Sequence, residues 1–146
     1  YGTARVLAAF WNTGRWDDPA AHSAVRFLLS CQNEDGGWGD WSRESSGNAA
    51  GSEVAWQSSI EETAVVLESL IAGTSGPGSE KPEMQIDGIE TAIGRAAAWL
   101  VERVEDGSYC YATPIGFYFA KLWYYERLYP QIFTLAALGR LAKLNG

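Results

Sequence analysis

Two stretches of this chain follow one pattern, and the pattern requires helices that end at tight glycine corners. Phe27-Leu28-Leu29-Ser30-Cys31-Gln32 runs into Asn33-Glu34-Asp35-Gly36-Gly37-Trp38, and Trp99-Leu100-Val101-Glu102-Arg103-Val104 runs into Glu105-Asp106-Gly107-Ser108-Tyr109. Each copy reads as aromatic-Leu, three residues, Gln or Val, a short acidic turn, and then Gly-x-aromatic. The offset is 72 residues at the opening aromatic and 71 at the closing one. Self-similarity at a near-constant spacing marks stacked helical units. The residue types suit a joint between helices. A Gln at a helix end can bond carbonyls that the helix leaves unpaired, or the backbone of a neighbouring turn. Gly36 and Gly37 are expected to supply positive φ, and Trp38 to stack on the Gln32 amide and cover the helix end. Phe27, Gln32, Gly36, Trp38, Trp99, Gly107 and Tyr109 are therefore read as structural.

Elsewhere the apolar residues recur at helical spacing. A first helix is expected from Thr3, as N-cap, to about Trp11, with Val6, Leu7, Phe10 and Trp11 on its apolar stripe. Asp17-Asp18-Pro19 opens a second, with the acids and proline that helix starts favour; Ala21, Ala24, Val25, Leu28 and Leu29 form its stripe. Ser59-Ile60-Glu61-Glu62 fits a capping box for a third, which is expected to end at Gly73. A fourth spans about 86–104, with Ile89, Ile93, Ala96, Ala97, Leu100 and Val104 in register. Residues 117–143 have a helical pattern with a break near Pro130. Residues 42–58 and 73–85, rich in Ser, Gly and other polar or turn residues, are expected to be flexible loops. The reading is one all-α domain over residues 1–146.

Composition narrows the partners. The 146 residues carry a formal net charge of −7, which opposes a nucleic-acid surface because phosphate binding needs clustered Lys and Arg. Two cysteines, Cys31 and Cys110, make no disulfide framework, and their apolar or aromatic neighbours predict buried thiols. Seven Trp, seven Tyr and five Phe suit a large core or a pocket for an apolar or cationic ligand.

The first copy of the pattern is similar to the QW motif of triterpene cyclases, and three further stretches resemble squalene–hopene cyclases in the same order. Tyr1-Gly2-Thr3 resembles their YGT helix start. Glu34-Asp35-Gly36-Gly37-Trp38-Gly39-Asp40 is similar to their EDGGWGE turn. Gly116-Phe117-Tyr118-Phe119, Tyr125, Tyr129-Pro130 and Ala137-Leu138-Gly139-Arg140 resemble their C-terminal GDFY…Y…FP…LALGR run. The resemblance covers nearly the whole chain. It implies a C-terminal piece of an α/α toroid, in which inner and outer helices alternate around an axis. It also implies a linear polyprenyl substrate such as squalene, closed into rings through carbocations without a metal or organic cofactor. The parent protein is expected to be a bacterial class II terpene cyclase, cytoplasmic and peripheral at the membrane, with a homodimer as a further expectation.

The same resemblance assigns residues. Tyr118, Leu122 and Tyr125 fall on cavity positions, and Arg43 falls near the basic group that accompanies the family's catalytic acid. Pro114 and Leu122 stand where hopene cyclases carry aromatics, and Val65 stands where they carry Trp. The Asp-x-Asp-Asp acid that starts the family's reaction has no match. Asp17-Asp18 and Glu61-Glu62 read as helix-start acids, so the piece by itself is expected to be inert. His22, the only histidine, reads as a surface or packing residue. Two alternatives are a non-enzymatic α/α toroid that binds a lipid or protein, and the toroid of a protein prenyltransferase. The second needs an Asp–Cys–His zinc site that the sequence does not offer.

Overall fold

The computed structural model describes residues 1–15, 17–39, 58–74, 86–113, 115–117 and 122–145. Among these, five α-helices account for almost all regular structure: α1 (Gly2–Asn12), α2 (Pro19–Ser30), α3 (Ile60–Thr74), α4 (Ile89–Glu105) and α5 (Tyr129–Asn145). One antiparallel hairpin joins β1 (Ile115–Phe117) to β2 (Leu122–Tyr124) between α4 and α5.

The helix starts follow local chemistry. Asp18 caps α2, its carboxylate accepting from the Ala20 N–H at 2.9 Å, and Pro19 occupies the first turn. That N–H is the main influence holding the Asp18 carboxyl below its ordinary value; the Arg15 guanidinium adds to it. The capping box of α3 forms in half, because the Ser59 N–H donates to Trp38 O at 2.9 Å and not to the Glu62 carboxylate. The Glu62 N–H donates to Ser59 Oγ at 3.2 Å, and the Ser59 hydroxyl donates to the Glu62 carboxylate at 3.1 Å. At α1 the expectation fails, because the helix begins a residue before Thr3 and Tyr1 is the N-cap, with no side-chain cap bond.

Helix α3 is the hub. Its residues 60–67 are all buried, as are Ser69, Leu70 and Ile71, so only Glu68 and the last turn reach solvent, and α1, α4 and α5 all pack on it. Small residues bring α1 close. The Ser69 hydroxyl donates to Ala4 O at 2.9 Å, and Trp11 Nε1 donates to Ser69 O at 2.8 Å. Gly73 does not end α3, which runs on to Thr74. It gives room to the Trp11 ring, whose Cζ2 would lie 3.0 Å from a β-carbon there.

Other expectations are corrected. Residues 117–143 are not one helix broken at Pro130. Phe117 closes β1 and Leu122, Trp123 and Tyr124 form β2, with Phe117 opposite Leu122 and Ile115 opposite Tyr124, as bulky aromatics favour in a pleated ribbon. Pro130 lies in the first turn of α5, where its missing N–H breaks no intrahelical bond. Both cysteines are exposed. Cys31 is the residue after α2, and Cys110 ends a short 3₁₀ turn (Ser108–Cys110), so each side chain leaves the core where its helix does. Val6 and Val104 are also exposed, whereas Ala4 and Trp99 are buried in the core. No helix among the described residues is long and apolar enough to cross a membrane.

Candidate functional site

The glycine corner after α2 is riveted from three sides. Trp38 is buried, and its indole Nε1 donates to Leu28 O at 2.7 Å, tying the corner back to α2. Its backbone is clasped by α3: the Trp38 N–H donates to Thr63 Oγ1 at 2.9 Å, and the Thr63 hydroxyl donates to Trp38 O at 3.1 Å. Gln32 Nε2 donates to Gly36 O within the corner and to Ala92 O on α4, both at 2.9 Å. Arg95, also on α4, donates to Asn33 O at 2.9 Å and Glu34 O at 2.7 Å. Nothing local in the sequence marks Arg95 for this role; its partners lie about sixty positions earlier.

Gly36 has φ +96°, and a β-carbon there would sit 3.0 Å from the Arg95 carbonyl, so both conformation and space require glycine. Gly37 has no positive φ, contrary to expectation; space alone excludes a side chain there.

Asp35 links the two copies of the pattern. Its Oδ1 accepts from the Gly37 N–H at 3.0 Å and the Ser58 hydroxyl at 2.6 Å, and its Oδ2 accepts from Trp99 Nε1 at 2.9 Å. Burial pushes the carboxyl up, but the hydrogen bonds from Ser58, Gly37 and Trp99 outweigh it and hold Asp35 below its ordinary 3.8. A carboxyl depressed on folding contributes stability that is present above its unfolded value and lost as pH falls through the folded one. Asp35→Asn should therefore lower the melting temperature at pH 7, and the gap from wild type should narrow at pH 3. Thermal melts of both proteins at the two pH values check this. A gap of the same size at pH 3 would show that the carboxylate's charge is not what counts.

The second copy repeats the geometry of the first. The Gly107 N–H bonds Val104 O at 3.3 Å as the Gly36 N–H bonds Asn33 O at 3.0 Å. Asp106 Oδ1 accepts from the Ser108 N–H at 2.7 Å as Asp35 does from Gly37, and Gly107 has φ +80°. The side chains diverge. Trp99 is buried, whereas Phe27, at the matching position, is 55% exposed and plugs nothing in this chain. Tyr109 packs partly buried against the core.

The residues expected to face a ligand are placed unevenly. Tyr118, Arg43 and Pro114 lie outside the described residues. Leu122 opens β2, paired with Phe117. Tyr125 follows β2 and is 67% exposed. Val65 is buried on α3, and His22 is half-buried on α2. Among the described residues no group of His, Cys, Asp and Glu is gathered as a metal ion would need.

One acid was missed by local reasoning. Glu61, read as a helix-start charge, is buried, and both of its carboxylate oxygens accept from Thr113: Oε1 from the N–H at 2.9 Å, Oε2 from the hydroxyl. Burial is the largest influence on it and raises its carboxyl above the ordinary 4.5. The Thr113 hydrogen bonds pull the other way, and the neighbouring Glu62 adds to the rise. The available signal was its helical spacing: Glu61 stands three and four residues before Ala64 and Val65, on a face the sequence marks as apolar.

A family model described as the squalene-hopene cyclase C-terminal domain matches residues 1–143. No solved structure matches the chain.

Proposed function

Because the chain belongs to the squalene-hopene cyclase family as a C-terminal domain, we propose that it walls part of the cavity in which a linear polyprene such as squalene is cyclised, and that its aromatic rings hold the carbocations of that reaction. The family match over residues 1–143 carries this reading. The exposure of Tyr125 supports it: a core tyrosine would be covered by the chain's own residues, and this one stands open to a ligand or a neighbouring domain. Tyr118 and Leu122 are proposed for the same wall, and Arg43 for a position near the acid.

The division of labour follows from the residues. The sequence holds no Asp-x-Asp-Asp acid, so protonation of the alkene falls to another part of the enzyme. What this domain supplies is a surface that suits a cation without reacting with it. The face of a tyrosine ring attracts positive charge and offers no strong nucleophile, and apolar walls keep water from quenching the intermediate. A substrate this apolar partitions into a bilayer, so the enzyme is proposed to work peripherally at the cytoplasmic membrane.

Tyr125→Ala in the full-length cyclase tests the assignment. An interaction made mainly with cationic stages alters the path after binding more than binding itself. The expected result is a changed ratio of cyclic products by gas chromatography, with KM for squalene within about threefold of wild type. An unchanged product profile would remove Tyr125 from the cavity wall.

A further inference from the structure

Among the described residues Glu61 and Glu62 are the buried charged side chains, and Glu61 has no exposed surface at all. The role of Glu62 is accounted for: its N–H donates to the Ser59 hydroxyl, which in turn donates to its carboxylate at the start of α3. Glu61 takes no part in that cap. A helix start tolerates an acid, but that explains neither its complete burial nor its partner. An apolar side chain would fill the same space without the cost of taking a carboxyl out of water. What only the carboxyl provides is a pair of acceptors, and both are used on one residue 52 positions away.

That residue stands at the root of the hairpin. Thr113 comes two positions before Ile115, the buried residue that opens β1. Ile115 pairs with Tyr124 at the end of β2, and Tyr125 follows. Two hydrogen bonds from one residue, its N–H and its hydroxyl, fix the orientation of that residue as well as its distance. Of the charged groups on the helices that pack against α3, Arg140 of α5 pairs with Glu68. Glu62 is the charged group that acts on Glu61.

We propose that Glu61 is a positioning residue: through its two hydrogen bonds to Thr113 it sets the hairpin β1–β2, and with it Tyr125, against the helical core. Its effect on product rests on the cyclase reading above; its effect on the hairpin does not.

Amide hydrogen exchange tests the second point in the chain itself. Glu61→Leu should speed exchange at Thr113 and the paired hairpin amides by about tenfold or more, while Leu67 and Leu70 in α3 keep wild-type rates. Glu61→Gln, which keeps an acceptor for the Thr113 N–H and has an amide to meet the hydroxyl, should restore protection. Thr113→Val removes the hydroxyl donor at little change in volume and serves where Glu61→Leu fails to fold. It should speed hairpin exchange about threefold or more. Unchanged protection at Thr113 in Glu61→Leu, unchanged hairpin exchange in Thr113→Val, or equal acceleration in hairpin and α3 would overturn the proposal. In the full-length enzyme with squalene, Glu61→Leu should shift the product ratio with KM within about twofold, and Glu61→Gln should return it. An unchanged ratio in Glu61→Leu would also overturn the role. If the wild-type enzyme makes no cyclic product, the cyclase reading fails, and the exchange rates decide the hairpin assignment.

Discussion

Trp38→Ala is expected to destabilise the domain by about 3–5 kcal/mol, the cost of truncating a buried tryptophan. The indole is buried between α2 and α3, so its removal leaves a cavity with several walls that cannot all collapse. The loss also frees Leu28 O from the 2.7 Å bond donated by Nε1, although Cys31 N–H still reaches that carbonyl at 3.2 Å. For a chain of this size the shift in melting temperature is roughly ten degrees or more. Trp38→Phe separates the two contributions, since it keeps most of the volume and drops the donor; it should cost about 1–3 kcal/mol. Denaturant titration of the three proteins measures both. A Trp38→Ala protein that melts with wild type would mean that the corner does not hold the helices together.

Gly37→Ala is expected to cost about 3 kcal/mol, at the upper end for adding one methyl to a packed site. A β-carbon at this position would lie 2.5 Å from Ser58 Cβ, 2.6 Å from Ser58 Oγ and 2.9 Å from Thr63 Oγ1. Neither neighbour is free to yield. Ser58 donates to Asp35 and accepts from Asn33 Nδ2 at 3.0 Å, and Thr63 clasps the Trp38 backbone. The second copy provides the control. Gly107 has φ +80° but nothing within 4 Å of its missing β-carbon, so Gly107→Ala carries only the left-handed backbone penalty of about 1–2 kcal/mol. The residue that answers to Gly37 in that copy is Ser108, a side chain the second corner accommodates. If Gly37→Ala proves no costlier than Gly107→Ala, conformation and not space governs these corners.

The glycine corners show what a sequence makes legible. Their shape depends on bonds between residues two to four apart, such as the Asp35 carboxylate with the Gly37 N–H, so spacing alone betrays them. The caps of α2 and α3 were readable for the same reason. The rivets were not, because Arg95 reaches Asn33 and Glu34 across 61 or 62 positions and Glu61 reaches Thr113 across 52. The internal repeat marked Trp99 as a motif residue, yet its partner Asp35 emerged only when α4 was seen lying across the corner. The run from Phe117 misled because aromatic spacing there fits a helix as well as a ribbon, and only pairing partners decide between them. For the proposed cavity wall, motif resemblance suggested Tyr125, and the fold added its exposure.

A helix with one apolar face can lose a neighbour and merely show a stripe to water. Helix α3 has little such freedom, because eleven of its fifteen residues, Leu67 and Ile71 among them, are buried. Peeling away α1, α4 or α5 would wet it at once, and the loss would pass to the helices still in place. Among the described residues, the core of α1, α3, α4 and α5 is therefore expected to melt in one cooperative step, and a protease that cuts within α1, α4 or α5 would release that core.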